Sequence, residues 1–365
     1  MSSSTVREAG PGIGRVIGDP PVTVESPAPR HRWREILSAA DQALPEHDPA
    51  WTDAMCDTGR FRDVSRHYRF DDGTEVVLPL VARRGLSGIG GWAASYPPAW
   101  GIGGTVGPAL TVEHARSILR DVRELGFQRV GIRPDPLSGA VWETAARDEN
   151  VLAVPRRAHV LDLSAGVDAA WAGLNKTTRR NVRQARSRGA RIEVAHGGQL
   201  LDEYYRLYLA SVDRWARVSR EPRALARARA RQRDPLAKLE LLGRHLGEGF
   251  SVSMVYLDDA PVAGSIVLRG RTAHSARSAL DMEAIGTSHA GVLAGWGEIE
   301  LACEAGCPVL HLGESGRSRS LAFSKEKWGA RPHDYVELRV ERLPWTRADA
   351  VLRTGVKRAI GFRDE

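Results

Sequence analysis

The spacing of apolar residues along the chain changes between two patterns. In HARSILRDVRELGF and QLLDEYYRLYLASVDRWARV, apolar residues recur every three or four positions, which predicts amphipathic helices. In FSVSMVYLDDAPVAGSIVLRGRTAHSARSALD, short apolar runs are separated by turn residues, which predicts a meander of three strands. SRHYRF and TEVVLPLVARRG flank a turn at residues 71–73 and predict a β-hairpin.

The predicted elements follow one another in two similar cycles. The first cycle has two short helices near Trp33 and Pro49, the hairpin, a helix ending at Gly126, the strand FQRVGIRPDP, the helix AVWETAARDENV and the strand RRAHVLDLS. The second has a basic helix at 166–189, a short strand, two helices, the meander, the helix GVLAGWGEIELACEAG and the strand VLHLG. It ends with a short helix and the strand PHDYVELRVERL. We expect an α/β (α+β) protein of two domains, each a mixed, mostly antiparallel sheet flanked by helices.

The length of 365 residues also favours two domains. Residues 1–30 are rich in proline, glycine and serine, which predicts a disordered tail. We place the first domain at 31–165, the second at 166–345, and a basic C-terminal tail at 346–365. The stretch GLSGIGGWAASYPPAWGIGGTVGP has too much glycine, proline and tryptophan for a regular element, so we interpret it as a long loop.

Composition narrows the class of protein. The chain is 42% hydrophobic and 27% charged, and it contains neither an apolar run of membrane-spanning length nor a secretory signal, so we expect a cytoplasmic protein. Three cysteines argue against a disulfide framework. Cys303, Cys307 and His311 are spaced by four, but Pro308 interrupts a helical face. We therefore expect packed thiols and no metal site.

The net charge of +7 permits an anionic partner. The basic helix places five cations largely on one side: Lys176, Arg179, Arg180, Arg183 and Arg186. They form either a solvated face that pairs with acids elsewhere, or a surface that binds phosphate through bidentate guanidinium groups. A second block, RWARVSREPRALARARARQR, has eight arginines and one acid, Glu221. It predicts polyanion binding, unless it merely reflects GC-rich coding.

A loop of small residues precedes the helix GVLAGWGEIELACEAG. Free N–H groups at a helix N-terminus bind anions, and small residues allow a close approach. Alternatively, Thr287 or Ser288 only caps the helix. The candidate anion-binding residues are Gly286, Thr287, Ser288, Ala290 and Gly291.

Three segments of the chain match a known pattern in order and spacing. RRNVRQARSRGARIEV resembles the "RR-N-(R/K)-A-x-x-x-G" helix of FemAB-like and CelD-like acyltransferases of the GNAT superfamily. GVLAGWGEIELACEAGCPVLHLG is similar to their helix and following strand, and SKEKWGARP is similar to their "FK-x-x-(W/F)-G" segment. With EVVLPLVARRG and DPAW, the resemblance covers roughly residues 30–342. Two departures are Ser324, where the family has phenylalanine, and the basic segment GESGRSRS.

The resemblance implies tandem GNAT-type domains that transfer an acyl or aminoacyl group to a primary amine. The donor in the family is an acyl-CoA thioester or, in the peptidoglycan-bridge branch, an aminoacyl-tRNA. The loop at 286–291 would then hold the donor's pyrophosphate, with acetyl-CoA the expected co-substrate. Lys325 matches the family's lysine near donor or acceptor phosphates, unless it is a surface lysine.

Transfer to an amine requires a group that accepts its proton. Asp281 and Glu283 beside the loop, and Glu314 at the end of the strand VLHLG, are the candidate catalytic carboxylates; each is alternatively an ordinary loop carboxylate. No nucleophile-elbow spacing appears, which argues against a covalent hydrolase. The aromatic residues Trp92, Tyr96 and Trp100 either line an acceptor groove or, as we favour, plug the space between domains.

Three hypotheses follow. The first is N-acyl transfer from acyl-CoA to a small-molecule or cell-envelope amine by direct attack, without a covalent enzyme intermediate. The second is aminoacyl-tRNA-dependent amide formation, for which tRNA would be a partner. The third is an inactive GNAT-like module that binds polyanions or a partner protein.

Overall fold

A computed structural model describes residues 15–17, 22–83, 91–316, 318–349, 351 and 354. Its strands are β1 (Arg15–Ile17), β2 (Val22–Glu25), β3 (Phe61–Asp63), β4 (Arg66–Phe70), β5 (Glu75–Leu78), β6 (Val81–Arg83), β7 (Trp92–Ser95), β8 (Arg129–Ile132), β9 (Leu152–Asp162), β10 (Arg191–His196), β11 (Phe250–Leu257), β12 (Ala260–Arg269), β13 (Ala273–Leu280), β14 (Val309–Glu314) and β15 (Arg331–Glu341). Its α-helices are α1 (Arg30–Ser38), α2 (Pro49–Asp57), α3 (Val112–Glu124), α4 (Gly139–Asp148), α5 (Gly166–Gly173), α6 (Lys176–Ser187), α7 (Leu201–Val218), α8 (Arg223–Arg233), α9 (Leu236–Leu246), α10 (Met282–Ile285), α11 (Ala290–Glu304) and α12 (Arg319–Glu326).

A sheet of 11 strands forms the centre of the fold, in the order β10-β11-β12-β13-β14-β9-β15-β8-β7-β6-β3. Its neighbouring strands are antiparallel except for two parallel pairs, β7 with β8 and β13 with β14. A second sheet has the order β1-β2-β4-β5. The predicted class, mixed and mostly antiparallel sheet flanked by helices, is confirmed.

The same series of elements occurs twice along the sheet. In the N-terminal half (residues 22–162) it is β6, β7, α3, β8, α4 and β9; in the C-terminal half (residues 166–341) it is β12, β13, α11, β14, α12 and β15. The last strand of each series crosses to the other half, because β9 pairs with β14 and β15 pairs with β8. The two long strands also pair with each other. The proposed domain boundary at residue 165 therefore separates two halves that share one continuous sheet.

Helices cover both faces of this sheet. In the N-terminal half, Ile118 of α3 and Trp142 of α4 pack against Val130 and Leu338. In the C-terminal half, α11 and α6 cover one face, and α7 to α9 cover the other. The α7–α9 layer also contacts Trp51 of the N-terminal half, so one apolar core extends across the junction between the halves.

Local structure departs from the sequence prediction in three places. The predicted tail at 1–30 contains β1 and β2, and β2 pairs with β4 because Val22 and Val24 alternate toward a core in spite of the flanking prolines. The predicted helix at 166–189 is two helices, since Asn175 starts α6 by accepting a hydrogen bond from the Thr178 N–H at 2.8 Å. The predicted glycine-rich loop contains β7.

Two further predictions concern the ends of the chain and the membrane. The tail at 346–365 lies mostly outside the described residues. Among the helices that are described, none has both the length and the apolar content needed to cross a bilayer.

Candidate active site

The two parallel strands of the C-terminal half separate along their length. β13 and β14 pair only at Ala273 with Leu310 and at His274 with His311. β13 then continues to Leu280 without β14 beside it. We call the separated ends, residues 275–280 and 312–314, the fork. Because backbone N–H and C=O groups seek partners, the facing edges of a fork can bind an extended ligand.

The equivalent strands of the N-terminal half are closed. β7 and β8 pair at four consecutive positions, from Trp92 with Arg129 to Ser95 with Ile132. Beyond them, the Arg133 N–H donates to the Ser95 carbonyl at 2.9 Å, and the Gly103 N–H donates to the Arg133 carbonyl at 3.0 Å. These bonds occupy the space in which the C-terminal half opens, so the two halves differ in their capacity to hold a ligand.

The loop of residues 286–291, here called the donor loop after the role that the sequence predicts for it, lies at the start of α11. The Ser288 hydroxyl donates to the Ile285 carbonyl at 2.6 Å and accepts from the Ala290 N–H at 3.3 Å. Ser288 is therefore engaged in local turn bonds, whereas the carbonyl of Thr287 accepts a hydrogen bond from Arg188. The first turn of α11 carries no acidic residue, so the positive end of its dipole is not neutralised locally.

Asp281 and Glu283 lie beside the donor loop, at the end of β13. Asp281 Oδ1 accepts from the N–H groups of Glu283 and Ala284 at 3.1 and 3.0 Å, and so caps the short helix α10. The Glu283 side chain is exposed. These contacts favour the loop-carboxylate interpretation for Asp281, and a proton-accepting role for either residue stays a prediction.

Glu314 and Lys325 lie together at the inner side of the fork. The Lys325 ammonium donates to the Glu314 carbonyl at 2.8 Å, and Tyr335 donates to Glu314 Oε1 at 2.5 Å. Arg156 approaches the other oxygen, Oε2, at 3.5 Å. Burial lowers the pKa of Lys325 to about 8. Lys325 is thus a half-buried lysine with a backbone partner, and its role near donor or acceptor phosphates stays a prediction.

A second pair of ionisable groups lies where the fork opens, and sequence reasoning missed it. Glu46, in a turn of the N-terminal half, is completely buried, and its Oε1 is hydrogen-bonded to His274 Nδ1. Burial alone would raise the pKa of Glu46, but the imidazole beside it lowers the pKa below its usual value. Gly101 packs so closely that a Cβ there would lie 2.5 Å from Oε1.

The opposite nitrogen of this histidine points toward the fork. A Cβ built on Gly313 would lie 3.8 Å from His274 Nε2 and also 3.8 Å from Lys325 Nζ. His274 Nε2 and Lys325 Nζ therefore face the space that Gly313 leaves open because it has no side chain. Glu46 and His274 are 228 positions apart and belong to no motif, so no local pattern in the sequence could have paired them.

His311 lies beside His274, with the two rings in an edge-on arrangement and their centroids 6.4 Å apart. Burial lowers the pKa of His311 to about 3, so its ring is neutral. Within the described part of the chain, no three histidine, cysteine, aspartate or glutamate side chains converge to hold a metal ion. The buried Cys307 thiol instead donates to the Gly270 carbonyl at 3.5 Å.

Glu298 lies on the other face of the fork. This α11 residue is buried, and Ser278 approaches its Oε1 at 3.5 Å. Burial raises the pKa of Glu298, although neighbouring serine hydroxyls and the charge of Lys325 partly oppose the shift. Burial thus makes the charged form of this carboxyl less favourable than it is in water. It is a second ionisable residue near the fork that the sequence did not single out.

The cations of α6 divide into two groups. Arg179 donates to the Ala172 carbonyl at 2.8 Å, and Arg186 pairs with Glu300 at 2.7 Å. Arg183 lies over the ring of Trp171, 5.5 Å from its centroid. Lys176 and Arg180, in contrast, have no acidic partner within 4.0 Å among the described residues.

An open groove of about 820 Å³, here called the basic groove, is lined by Trp171, Ala172, Lys176, Thr177, Arg179, Arg180 and Arg183.

The second basic block is partly compensated by acids. Arg223 and Arg227 share Asp213, at 2.6 and 2.5 Å, and Arg229 pairs with Glu221 at 2.6 Å. Arg233 pairs with Asp234 at 3.0 Å. Glu221 is the one acid within the block, and the sequence-based prediction of polyanion binding omits Asp213 and Asp234, which flank it. Four of its eight arginines are therefore paired with acids, where they stabilise α7 and α8 and are less available for a polyanion.

The aromatic residues of the glycine-rich segment fill the junction between the halves. Trp100 is 7% exposed and packs edge-on against Trp51 and Phe61, with centroid distances of 6.3 and 5.9 Å. The hydroxyls of Tyr96 and Thr52 are 2.8 Å apart. These contacts agree with the plug interpretation and leave no acceptor groove at Trp100.

Comparison with known proteins adds to this geometry. Residues 172–319 match the family of acetyltransferase (GNAT) domains. The match covers α6, the meander, the donor loop, α11 and β14, and so includes both strands of the fork. No curated protein matches the chain in sequence.

Three solved structures share the fold over most of the chain. FemX is 11% identical with a TM-score of 0.65, and the alignment covers 86% of this chain and 96% of FemX. A conserved protein of unknown function from Bacteroides thetaiotaomicron is 10% identical with a TM-score of 0.53, covering 86% and 96%. The C-terminal domain of an Agrobacterium fabrum protein, provisionally named a lysylphosphatidylglycerol synthetase, is 14% identical with a TM-score of 0.51, covering 90% and 96%.

At these identities the likeness to solved structures concerns the fold alone. The predicted tandem GNAT plan is confirmed by the repeated series of elements and by the domain match over the C-terminal half. The chain thus carries a GNAT-type acetyltransferase domain over residues 172–319, within an overall fold that resembles that of FemX.

Proposed function

We propose that the protein is an N-acyltransferase that moves an acyl group from an acyl-CoA thioester, with acetyl-CoA the first candidate, to a primary amine. The observation that carries the proposal is the difference between the two parallel strand pairs. The C-terminal pair separates after His274, whereas the N-terminal pair is closed by Arg133 and Gly103. A single donor site in the C-terminal half follows from this difference.

The residues around the fork fit a thioester donor. Its extended pantetheine arm would lie between the facing edges of β13 and β14 and accept and donate backbone hydrogen bonds there. Its pyrophosphate would lie at the donor loop, where the first turn of α11 lacks an acid and Gly291 lacks a side chain. The reacting carbonyl would then lie near Gly313, between the bases His274 and Lys325.

The reaction that we propose is direct attack of the neutral amine on the thioester carbonyl. A half-buried lysine with a pKa of about 8 can hold or release a proton near neutral pH. The Lys325 ammonium can also stabilise negative charge on the attacked carbonyl, because charges interact strongly where water is excluded. Glu314 positions this ammonium through its backbone carbonyl.

We also propose that the enzyme is cytoplasmic, because acyl-CoA and charged tRNA, the two candidate donors, are cytoplasmic.

Aminoacyl-tRNA is the second candidate donor. It is supported by the fold shared with FemX and by Lys176 and Arg180, two exposed cations of the basic groove without an acidic partner in the part of the chain that the structure describes. Arg188 joins the same helix to the donor loop through Thr287. A cationic path from the loop along α6 is longer than a CoA pyrophosphate requires and would suit a nucleic-acid backbone. The amine acceptor in either case is a small molecule or a cell-envelope precursor.

Calorimetric titration with coenzyme A and acetyl-CoA tests the proposal. We expect micromolar, near-stoichiometric binding. Gly291→Ala should retain it, because a Cβ there would lie 3.4 Å from Ile285 in ordinary contact, whereas Gly291→Trp should abolish it while circular dichroism stays unchanged. If the wild-type protein bound neither coenzyme A nor acetyl-CoA, this result would contradict the acyl-CoA proposal and favour charged tRNA. If the wild-type protein transferred no group from any donor, this result would favour an inactive GNAT-like module.

A further inference from the structure

We propose that His274 is the general base of the transfer reaction and that Glu46, contributed by the other half of the chain, holds its ring in the required orientation. This assignment rests on the proposed acyl transfer at the fork. His274 is the last residue of β13 that still pairs with β14, so its ring lies where the two strands begin to separate.

The hydrogen bond to Glu46 determines which ring nitrogen can accept a proton. Glu46 is a buried carboxylate, which only accepts hydrogen bonds, so His274 Nδ1 carries the hydrogen and donates it. Nε2 is then the unprotonated nitrogen. That atom faces the space beside Gly313, across from Lys325. The arrangement has the three parts of a proton-accepting site: an orienting carboxylate, a fixed tautomer and an open face.

The surroundings of Glu46 keep its carboxylate in place. The backbone at Gly101 packs directly against Glu46 Oε1. The neighbouring residue His47 is held in place by two hydrogen bonds. His47 Nδ1 accepts from the Leu44 N–H at 3.2 Å, and Nε2 lies 2.7 Å from the Gly103 carbonyl. The N-terminal half thus supplies a rigid turn whose one buried carboxylate reaches the base of the fork. This gives the closed half a positioning role in the reaction.

The proton transfers balance in two steps. As the amine nitrogen forms its bond to the thioester carbon, its excess proton moves to His274 Nε2. When the carbon–sulfur bond breaks, the imidazolium returns that proton to the leaving thiolate, so that an amide and a free thiol are the products. The ring ends in its starting tautomer and the enzyme is not consumed.

The first test is the tautomer of His274 in the full-length protein. Nitrogen-15 NMR of histidine-labelled wild type should show a protonated Nδ1 and an unprotonated Nε2 at neutral pH, and Glu46→Gln should change this pattern. A wild-type ring protonated at Nε2 would overturn the proposal, whatever the donor is. This measurement does not depend on transfer activity.

The second test is turnover, with thiol release from acetyl-CoA as the readout and a panel of primary amines as acceptors. His274→Asn keeps an N–H that can donate to Glu46 but lacks the distal nitrogen. We expect it to bind acetyl-CoA normally and to lose about 10²-fold or more in kcat. His245→Asn is the matched control, because His245 Nε2 pairs with Asp57 at 2.8 Å on the surface, away from the fork.

The pH profile of kcat/KM and the separate values of kcat and KM distinguish a role in catalysis from a purely structural role for His274 and Glu46. The charged and titratable groups around the His274 ring, or lining the same small cavity, are Glu46, His311, Lys325, Arg277, Asp234 and Lys238. Glu46→Gln should lower kcat without raising the KM for acetyl-CoA, since the imidazole loses the carboxylate that orients it. Wild-type rates and an unchanged profile in both variants would overturn the assignment. A wild type without turnover would refute the proposed function itself, and the base assignment with it.

Discussion

The Lys238 ammonium and the Asp234 carboxylate are 2.8 Å apart, and both side chains are almost completely buried. Arg277 of β13 donates to the same carboxylate at 3.0 Å, and Lys238 also donates to the Ala99 carbonyl at 2.6 Å. Trp100 lies over the ammonium, with its ring centroid 4.3 Å from Nζ. One aspartate thus joins α9, the fork strand β13 and the aromatic plug.

Removing this aspartate should destabilise the junction of the two halves. Asp234→Ala leaves the buried Lys238 ammonium without its carboxylate and also removes a partner of the half-buried Arg277, and we expect a loss of about 3–5 kcal/mol in the free energy of unfolding. Urea denaturation measures this change. Asp259→Ala is the control, because Asp259 is 92% exposed in its pair with Arg191 and should cost less than about 1 kcal/mol. Equal effects of the two substitutions would contradict the prediction.

The lowered pKa of Lys325 predicts a dependence of stability on alkaline pH. In the unfolded chain this lysine titrates near 10.5, and in the folded protein near 8, so folding releases a proton between these values. Stability therefore rises with pH in this window. Between pH 8 and 10.5, wild type should gain about 1–3 kcal/mol relative to Lys325→Met. Thermal unfolding of both proteins across this range measures the difference, and parallel curves would refute it.

Gly313 should be sensitive for two separable reasons. Its φ of +73° strains any residue with a side chain, and its missing Cβ leaves the space between His274 and Lys325. Gly313→Ala should lose about 1 kcal/mol of stability and at least about tenfold in kcat. Gly306→Ala is the matched control, because Gly306 has a φ of +71° and a Cβ added there would meet nothing within 4 Å. The control should lose similar stability and keep its activity; a similar loss of activity in both would contradict the prediction.

The unpaired cations of the basic groove should determine binding to nucleic acid. We expect the double substitution Lys176→Glu and Arg180→Glu to weaken tRNA binding at least about tenfold and to reduce the slope of log K against log salt by about 2. Fluorescence titration at several salt concentrations measures both quantities. Arg231→Glu makes the same kind of change on the exposed face of α8 and should have a smaller effect. Identical effects at both places would indicate that only net charge matters.

Sequence patterns predicted the local elements of the site better than their partners. The sequence located α11 as a helix and β13 as the last strand of the meander, and a short motif identified Lys325. The pairing of Glu46 with His274 depends on contacts between distant segments, which periodicity does not encode. In the same way, Val22 and Val24 form a strand because β4 offers a partner, although the surrounding proline and glycine predict disorder.

The exchange of β9 and β15 affects how the chain reaches its native state during synthesis. β9 is made early, yet both of its sheet neighbours, β14 and β15, emerge from the ribosome only near the end of translation; Arg156 and its partner Glu337 are 181 positions apart. Until then, β8 is an unprotected edge that invites aggregation, and contacts of such long range slow folding. If either half were expressed alone, its strands that pair across the halves would lack their partners. We therefore expect each half to need chaperones when it is expressed alone, and the two halves to complement each other when they are co-expressed.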